Sequence, residues 1–454
     1  MLVRFVVSNY LSFGEEVEFN TFTGSPRRFK DHIYQFDGIE LLKIAAIYGP
    51  NGAGKSNLIR ALLLLRTLIL DDTPVNKYRI SPFRLTKGMD KQPTHLEIEM
   101  IIAGVLYNYG IEIYAGEVQE EWLYFTGPRR NELIFSRKTL KGTTKILMGE
   151  SFSQSAEDQL RIRLYEQELL HDNQLLLSLL STSKKVFPEI QKIKNWFENS
   201  LSIIDSGSRA TFLSGNFALS RPFQEFANEL LKTLHTGIFQ LELETIDIDR
   251  YFGEDNREES AQVKLRLEKN PEEIEYISED HTHLWAVALM EDEKVVVKRL
   301  VAKHKNANGE LVLFELDEES DGTLRILDFA PALFSIIHSP STVIIDEIDQ
   351  SIHPYLLKQL IGKFTRNNKT KGQLIFTTHE SNLLDQNIFR QDEIWFTEKK
   401  STGETALYPL SDFSIRFDLD IQKGYLQGRF GAIPFLGNLQ DLNWDIYAEE
   451  EQGV

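Results

Sequence analysis

Gly49–Ser56 reads GPNGAGKS and satisfies G-x-x-x-x-G-K-[ST]. The run before it, KIAAIYG, is a continuous apolar stretch with the character of a strand buried on both faces. Asn57–Leu70 reads as a helix that stops at Asp71-Asp72-Thr73-Pro74. Strand, glycine-rich turn and helix in that order commit the chain to a parallel α/β core with an anion site at its centre. The glycines let successive backbone N–H groups face inward around phosphate oxygens, and the helix N-terminus adds its positive pole. Lys55 is placed to reach the β- and γ-phosphates of a nucleoside triphosphate, and Ser56 to ligate Mg²⁺. The nucleotide-binding set is Asn51, Gly52, Ala53, Gly54, Lys55, Ser56 and Asn57.

A second motif supplies the acids that phosphoryl transfer needs. In STVIIDEIDQ an apolar strand ends in two carboxylates: Asp346 is placed to hold the magnesium shell and Glu347 to polarise the attacking water. A solvated turn is the plainer reading of two adjacent acids, but Val343–Ile345 directly before them argues for a buried strand end. About thirty residues on, QLIFTTHE puts His379 after another apolar strand, where it reads as a γ-phosphate sensor. Upstream, Ser320-Asp321-Gly322-Thr323 opens a helix.

Composition narrows the function class. The 454 residues carry 50 Lys and Arg against 68 Asp and Glu, a net charge of −18, so a generic coat for nucleic acid is excluded. Leu241–Ser320 holds 10 basic and 22 acidic residues, net −12. Gly127–Lys145 is the opposite, with six basic residues against Glu132, and is an exposed strand pair or a docking patch. With no cysteine there is no disulfide framework, thiolate nucleophile, Cys-ligated zinc or iron–sulfur cluster. The N-terminus is too soon polar for a signal peptide, and ALLLLRTLIL is interrupted by Arg66; a soluble, cytoplasmic protein without membrane contact is expected.

Patterning lays out four segments. Residues 1–150 form an N-terminal lobe: a β-hairpin with its turn at Asn9–Gly14, the P-loop unit, and an antiparallel meander over Thr94–Met148. Residues 151–240 are a helical insertion, with a helix from near Ser183 through Phe187, Ile190, Ile193, Phe197 and Leu201, and another over Arg221–His235. Residues 241–315 are strand-rich and acidic. Residues 316–454 alternate a helix from about Thr323, strand STVIIDE, a helix from Pro354, strand QLIFTT, a helix near Asn382 and strand EIWFTE. No heptads are sustained long enough for a coiled coil.

The order P-loop, long insertion, SDGT, Asp346-Glu347, His379 resembles the ABC-type ATPases, in the branch that includes SMC, RecF and OLD-like proteins. The resemblance implies an α/β P-loop ATPase head with an N-terminal antiparallel hairpin lobe and a mixed helical and strand insertion between Walker A and signature motif. It further implies ATP and Mg²⁺ as cofactors, Lys55, Glu347 and His379 as the catalytic set, Ser56 and Asp346 as metal ligands, and Ser320, Gly322 and Thr323 as a signature that meets the γ-phosphate of another subunit. Two copies would then close head-to-tail. Within that branch DEIDQSIHP, TTHESNLLD and GYLQGRFGAIPFLG resemble the stand-alone ATPases of bacterial anti-phage systems of the AbiL, RloA and PARIS AriA type. These are sensors and scaffolds that work with a separate effector nuclease, here expected to be a TOPRIM or HNH protein encoded nearby.

This sequence departs from the pattern in several places. The signature is ESDGT and not LSGGQ, His353 stands where transporters carry the D-loop aspartate, and Gln92 is only a weak Q-loop candidate. Arg27 and Arg28, ahead of the P-loop, are either nucleotide contacts or surface arginines, and read first as the latter. The second function class is a RecF- or SMC-like repair ATPase that clamps duplex DNA; the local basic stretch permits nucleic-acid contact without making it primary. An OLD-type fused nuclease is disfavoured, because little chain follows His379 and the terminal acids Asp441, Asp445, Glu449, Glu450 and Glu451 read as a solvated tail. A transporter motor is disfavoured by the long insertion.

Overall fold

The computed structural model describes residues 1–24, 28–71, 73–126, 131–150, 155–185, 187–207, 213–277, 286–413, 415–416 and 419–432. Arg27, Gly127–Arg130, the end of GYLQGRFGAIPFLG and the terminal acids lie outside them.

A six-stranded sheet carries the motifs. Its order is Leu201–Ile204, Thr342–Ile345, Gln373–Thr378, Ile44–Tyr48, Ile394–Lys399, Thr405–Pro409, parallel throughout except for the last, antiparallel pair. The P-loop strand, the Walker B strand and the strand before His379 are buried at every position, as strands covered on both faces must be. Alternate residues feed two cores. Ala45, Ile47, Ile344 and Ile375 point to one, which also holds the P-loop helix Lys55–Leu70. Ile44, Ala46, Val343, Ile345, Leu374 and Phe376 point to the other, which holds helices Asp321–His338 and Pro354–Arg366.

The first core is closed by a seven-stranded antiparallel sheet made of the hairpin Leu2–Ser8/Val17–Asn20 and a meander from Thr94–Ile102 to Thr143–Met148. Thr94–Ile102 alternates buried and half-buried positions, the mark of a sheet with one face on the core. Gln373, fully buried, ties the two sheets: its Oε1 accepts from Leu2 N (2.7 Å) and its Nε2 donates to the carbonyls of Leu2 and Leu42 (both 3.1 Å). The start of the chain is therefore anchored on a strand far along it. A third sheet, Gln240–Asp247, Lys294–Lys305, Ala286–Glu291 and Glu275–Ile277 with Leu311–Glu315 beside Lys294–Lys305, has its own small core.

Three local expectations differ. The helix expected to run to Leu201 is Pro188–Asn195, a π-turn Trp196–Ser200 and then strand Leu201–Ile204. Pro188 sits at the first helical position, where its missing N–H costs nothing, and the Leu-Ser-Ile-Ile run is taken up as a parallel partner of the Walker B strand. Near Asn382 there is a 3-10 turn, Ser381–Leu383, whose start Glu380 caps at Asn382 N and which goes no further as a helix because the Asp385 carboxylate takes the Asn387 N–H that a continuing helix would use. The acidic segment also contains helices Ile248–Phe252 and Arg257–Lys269, the first capped by Asp247.

Candidate nucleotide site

The turn between Tyr48 and Lys55 is held from two sides. Thr405 Oγ1 lies 2.8 Å from both the Ala53 carbonyl and Ser12 Oγ, and Ser12 Oγ accepts from Asn57 Nδ2 at 2.8 Å. The hairpin turn and the antiparallel edge strand thus clamp the loop at the helix start. Gly54 has φ +111°, and a Cβ there would stand 2.2 Å from Thr405 Oγ1; no other residue fits that approach. Asn51 and Gly52 are exposed at the loop tip, Ala53 is buried, and Ser56 is half-buried.

Lys55 is buried, and its Nζ donates to the carbonyls of Gly49 (2.7 Å) and Pro50 (3.2 Å) and reaches His379 Nδ1 at 3.4 Å. Desolvation lowers its pKa to about 8, against the upward pull of Asp346, Glu347 and Asp349. Burial, then the charge on Lys55, pushes His379 below the ordinary imidazole value, only partly countered by those three acids. A neutral His379 that accepts from Lys55 at Nδ1 carries its proton on Nε2. That nitrogen faces Glu347 Oε1 at 3.9 Å.

The Walker B acids are set by one hydroxyl. Thr377 Oγ1 donates to Asp346 Oδ1 (2.5 Å) and accepts the Glu347 N–H (2.8 Å). Glu347 has φ +53°, a left-handed conformation that costs roughly 1 kcal/mol or more for a residue with a side chain. The Thr377 bond holds it there and leaves the carboxylate about one third exposed, toward His379. Asp349 accepts the His379 backbone N–H at 3.3 and 3.4 Å.

Ser320 caps helix Asp321–His338: its Oγ accepts from Thr323 N (3.2 Å) and lies 2.9 Å from Thr323 Oγ1, so both polar groups of Thr323 are engaged within the cap. Gly322 packs against the chain after Walker B, where a Cβ would meet the Ser351 carbonyl at 2.7 Å. One turn on, buried Arg325 reaches the carbonyls of Asp205 (3.3 Å) and Asp346 (3.5 Å). Among the described residues no hydrogen bond or ion pair joins Ser320, Gly322 or Thr323 to Lys55, Asp346, Glu347 or His379 within the chain. His353 caps Pro354–Arg366, accepting Tyr355 N at 3.2 Å. Gln92 is exposed and offers its carbonyl to Asn9, and Arg28 lies 5.2 Å from the Phe29 ring centre.

A family model described as "AAA domain, putative AbiEii toxin, Type IV TA system" matches residues 44–385, from the P-loop strand past His379. The chain belongs to this family. No curated protein matches the sequence. Among solved structures it is similar to the SMC head domain from Thermotoga maritima, at 14% identity and TM-score 0.36, covering 90% of this chain and 98% of that one. It is also similar to the Pyrococcus furiosus Smc head domain with an extended coiled coil bound to the C-terminal domain of ScpA, at 11% identity and TM-score 0.34, covering 94% and 98%.

In this AAA-family chain the P-loop, Asp346-Glu347 and His379 follow the C-terminal ends of three neighbouring parallel strands, where ATPase chemistry of the P-loop class has its parts. Among the described residues no group of three or more His, Cys, Asp or Glu could hold a metal ion. A divalent cation here would have only the Asp346 carboxylate and Ser56 hydroxyl from the protein and the rest from phosphate and water. Mg²⁺ suits such an all-oxygen set and keeps its waters readily, so the residues fit it. Thr377, Asp349, Ser12 and Thr405 are not among the residues by which the sequence motifs mark the site. The doubled Thr before His379 and the Asp three residues after Asp346 were the available signals for the first two; the others meet the loop only through the fold.

Proposed function

We propose that the chain is a Mg²⁺-dependent ATPase whose site is completed by a second copy, and that it acts as a sensor and scaffold switch over a separate effector nuclease in anti-phage defence, in the manner of AbiL, RloA or PARIS AriA. The observation that carries the chemistry is the convergence of Lys55, His379 and Glu347, with His379 3.4 Å from one and 3.9 Å from the other. Lys55 and the P-loop amides bind and orient the phosphates, the His379 Nε2–H holds the γ-phosphate, and Glu347 takes the proton of the attacking water. Bound Mg²⁺ would neutralise charge developing on the phosphate oxygens. The exposed Ser320 and the helix N-terminus behind it supply donors for a partner's phosphate. The regulatory half of the reading rests on the family description and on the net −12 of Leu241–Ser320, which suits a basic protein partner.

Lys55→Ala tests it: nucleotide binding and phage protection should both vanish, and a fully protective variant overturns the ATP switch. Co-expression with a neighbouring TOPRIM or HNH nuclease should be toxic only when that nuclease is intact. A second reading, an ATP-dependent clamp on duplex DNA, is favoured by one feature. A cleft of about 720 Å³ beside the P-loop helix is lined by Arg60, Arg79, Arg84 and Lys399 and by no carboxylate. Salt-dependent duplex binding that appears only with ATP would select it.

A further inference from the structure

Strand Leu311–Glu315 pairs on one side with Val301–Lys305 and has no second neighbour among the described residues. Asn306 N donates to the Glu310 carbonyl at 2.9 Å, which makes 306 and 310 a hydrogen-bonded pair. Such pairs alternate along an antiparallel ladder, so His304/Val312 and Ala302/Phe314 are the bonded pairs that follow. The N–H and C=O groups of Leu311 and Leu313 therefore point outward, away from the sheet. The same edge exposes apolar side chains: Leu311, Val312 and Leu313 are 49%, 40% and 46% accessible. An open, apolar edge strand is a template for pairing, which proteins normally shorten, charge or cover.

Charge selects what can pair there. Lys303 is bound to Glu242, and Lys305 sits 4.0 Å over the Phe239 ring. Glu310, Asp317 and Glu318 are exposed and form no ion pair with Lys or Arg among the described residues, within the segment that carries −12. A second copy of this chain would bring the same acids against these; a cationic strand would neutralise them.

We propose that Leu311–Glu315 is a docking strand for an extended segment of a partner protein in which Lys or Arg alternates with apolar residues, added to the sheet edge through main-chain hydrogen bonds. The strand runs through one turn, Leu316–Glu318, into Ser320, so the docked segment lies beside the start of the signature helix. Nothing in this inference depends on nucleotide hydrolysis, and its test reads binding alone.

The test uses the full chain and a labelled synthetic peptide alternating Lys and Val, followed by fluorescence anisotropy. The Lys/Val peptide should bind at least about tenfold more tightly than its Glu/Val counterpart. Leu313→Pro, which removes an outward N–H and no ladder bond, should weaken it by about tenfold or more with the melting temperature unchanged. If that variant folds poorly, Glu310→Lys with Asp317→Lys, which leaves the backbone intact, decides instead by the same loss. Equal affinity for both peptides, or unaltered affinity in a well-folded variant, overturns the proposal. Concentration-dependent self-association that Leu313→Pro abolishes would assign the edge to a second copy, and also overturns it.

Discussion

Thr377 does more at the site than its place in an apolar strand advertises. Its one hydroxyl donates to Asp346 and accepts from the backbone of Glu347, so it fixes both acids and the left-handed turn between them. Thr377→Val keeps the shape and removes both bonds. ATP turnover should fall by roughly ten- to a hundredfold, at a stability cost of about 1–3 kcal/mol for the stranded N–H, while Thr377→Ser restores turnover; steady-state assays with parallel melts read both. Lys55 gives a pH prediction. Its pKa of about 8 in the free protein means that above pH 8 the amine is increasingly neutral, and binding an anionic phosphate must take up a proton. ATP affinity should hold below pH 8 and weaken above it, by up to about tenfold per pH unit. Calorimetry in two buffers of different ionisation enthalpy should show the proton uptake; a flat profile up to pH 9 would rule out Lys55 as the titrating group.

Among elements, the P-loop is only as good as its clamp. Gly54→Ala would drive a methyl into Thr405 Oγ1 at a φ that side chains avoid, and should abolish nucleotide binding while the parallel sheet, buried in two cores, stays folded by circular dichroism. The pairing of His32 with Glu393, both fully buried and 2.8 Å apart, ties the segment before the P-loop strand to the turn Gln391–Glu393 that leads into strand Ile394–Lys399. Burial raises Glu393 from 4.5 to about 7. A raised folded pKa means that this group's stability contribution is complete below pH 4.5 and is lost as pH climbs through about 7. Glu393→Gln should therefore flatten the fall in melting temperature between pH 5 and pH 8.

These elements also show what was legible in the sequence. The P-loop, Walker B and His379 strands could be read because a strand buried on both faces must be apolar along its whole length, and the meander because a half-buried sheet must alternate. Leu201–Ile204 could not, since four residues after a helical face carry no periodicity of their own; their partner, Thr342–Ile345, lies far along the chain. The clamp of Ser12 and Thr405 on Ala53 escaped for the same reason, because its spacing exists only in three dimensions.

At the scale of the molecule, Asp346 and Glu347 are joined to the start of helix Asp321–His338 by direct packing. Helix Asp321–His338 meets the Walker B strand through Arg325 and the Asp346 carbonyl, and its first turn meets the following loop through Gly322 and Ser351. Ser320 remains at the surface with no hydrogen bond to its own Lys55 among the described residues. On the proposed reading, this helix N-terminus, exposed at Ser320, serves the phosphates of another copy. Glu347→Gln isolates this step, because the amide can no longer take the water's proton while Lys55, Ser56 and the P-loop are untouched. In sedimentation velocity the variant should be largely monomeric without nucleotide and should accumulate as a dimer with ATP and Mg²⁺. Adding Ser320→Arg, which fills the trans contact with a long cation and leaves the core unaltered, should return it to monomer without loss of ATP binding. If Glu347→Gln turns over ATP at the wild-type rate, Glu347 is not the base; if it loses turnover but the double variant still dimerises with ATP, the signature helix does not complete the neighbouring site.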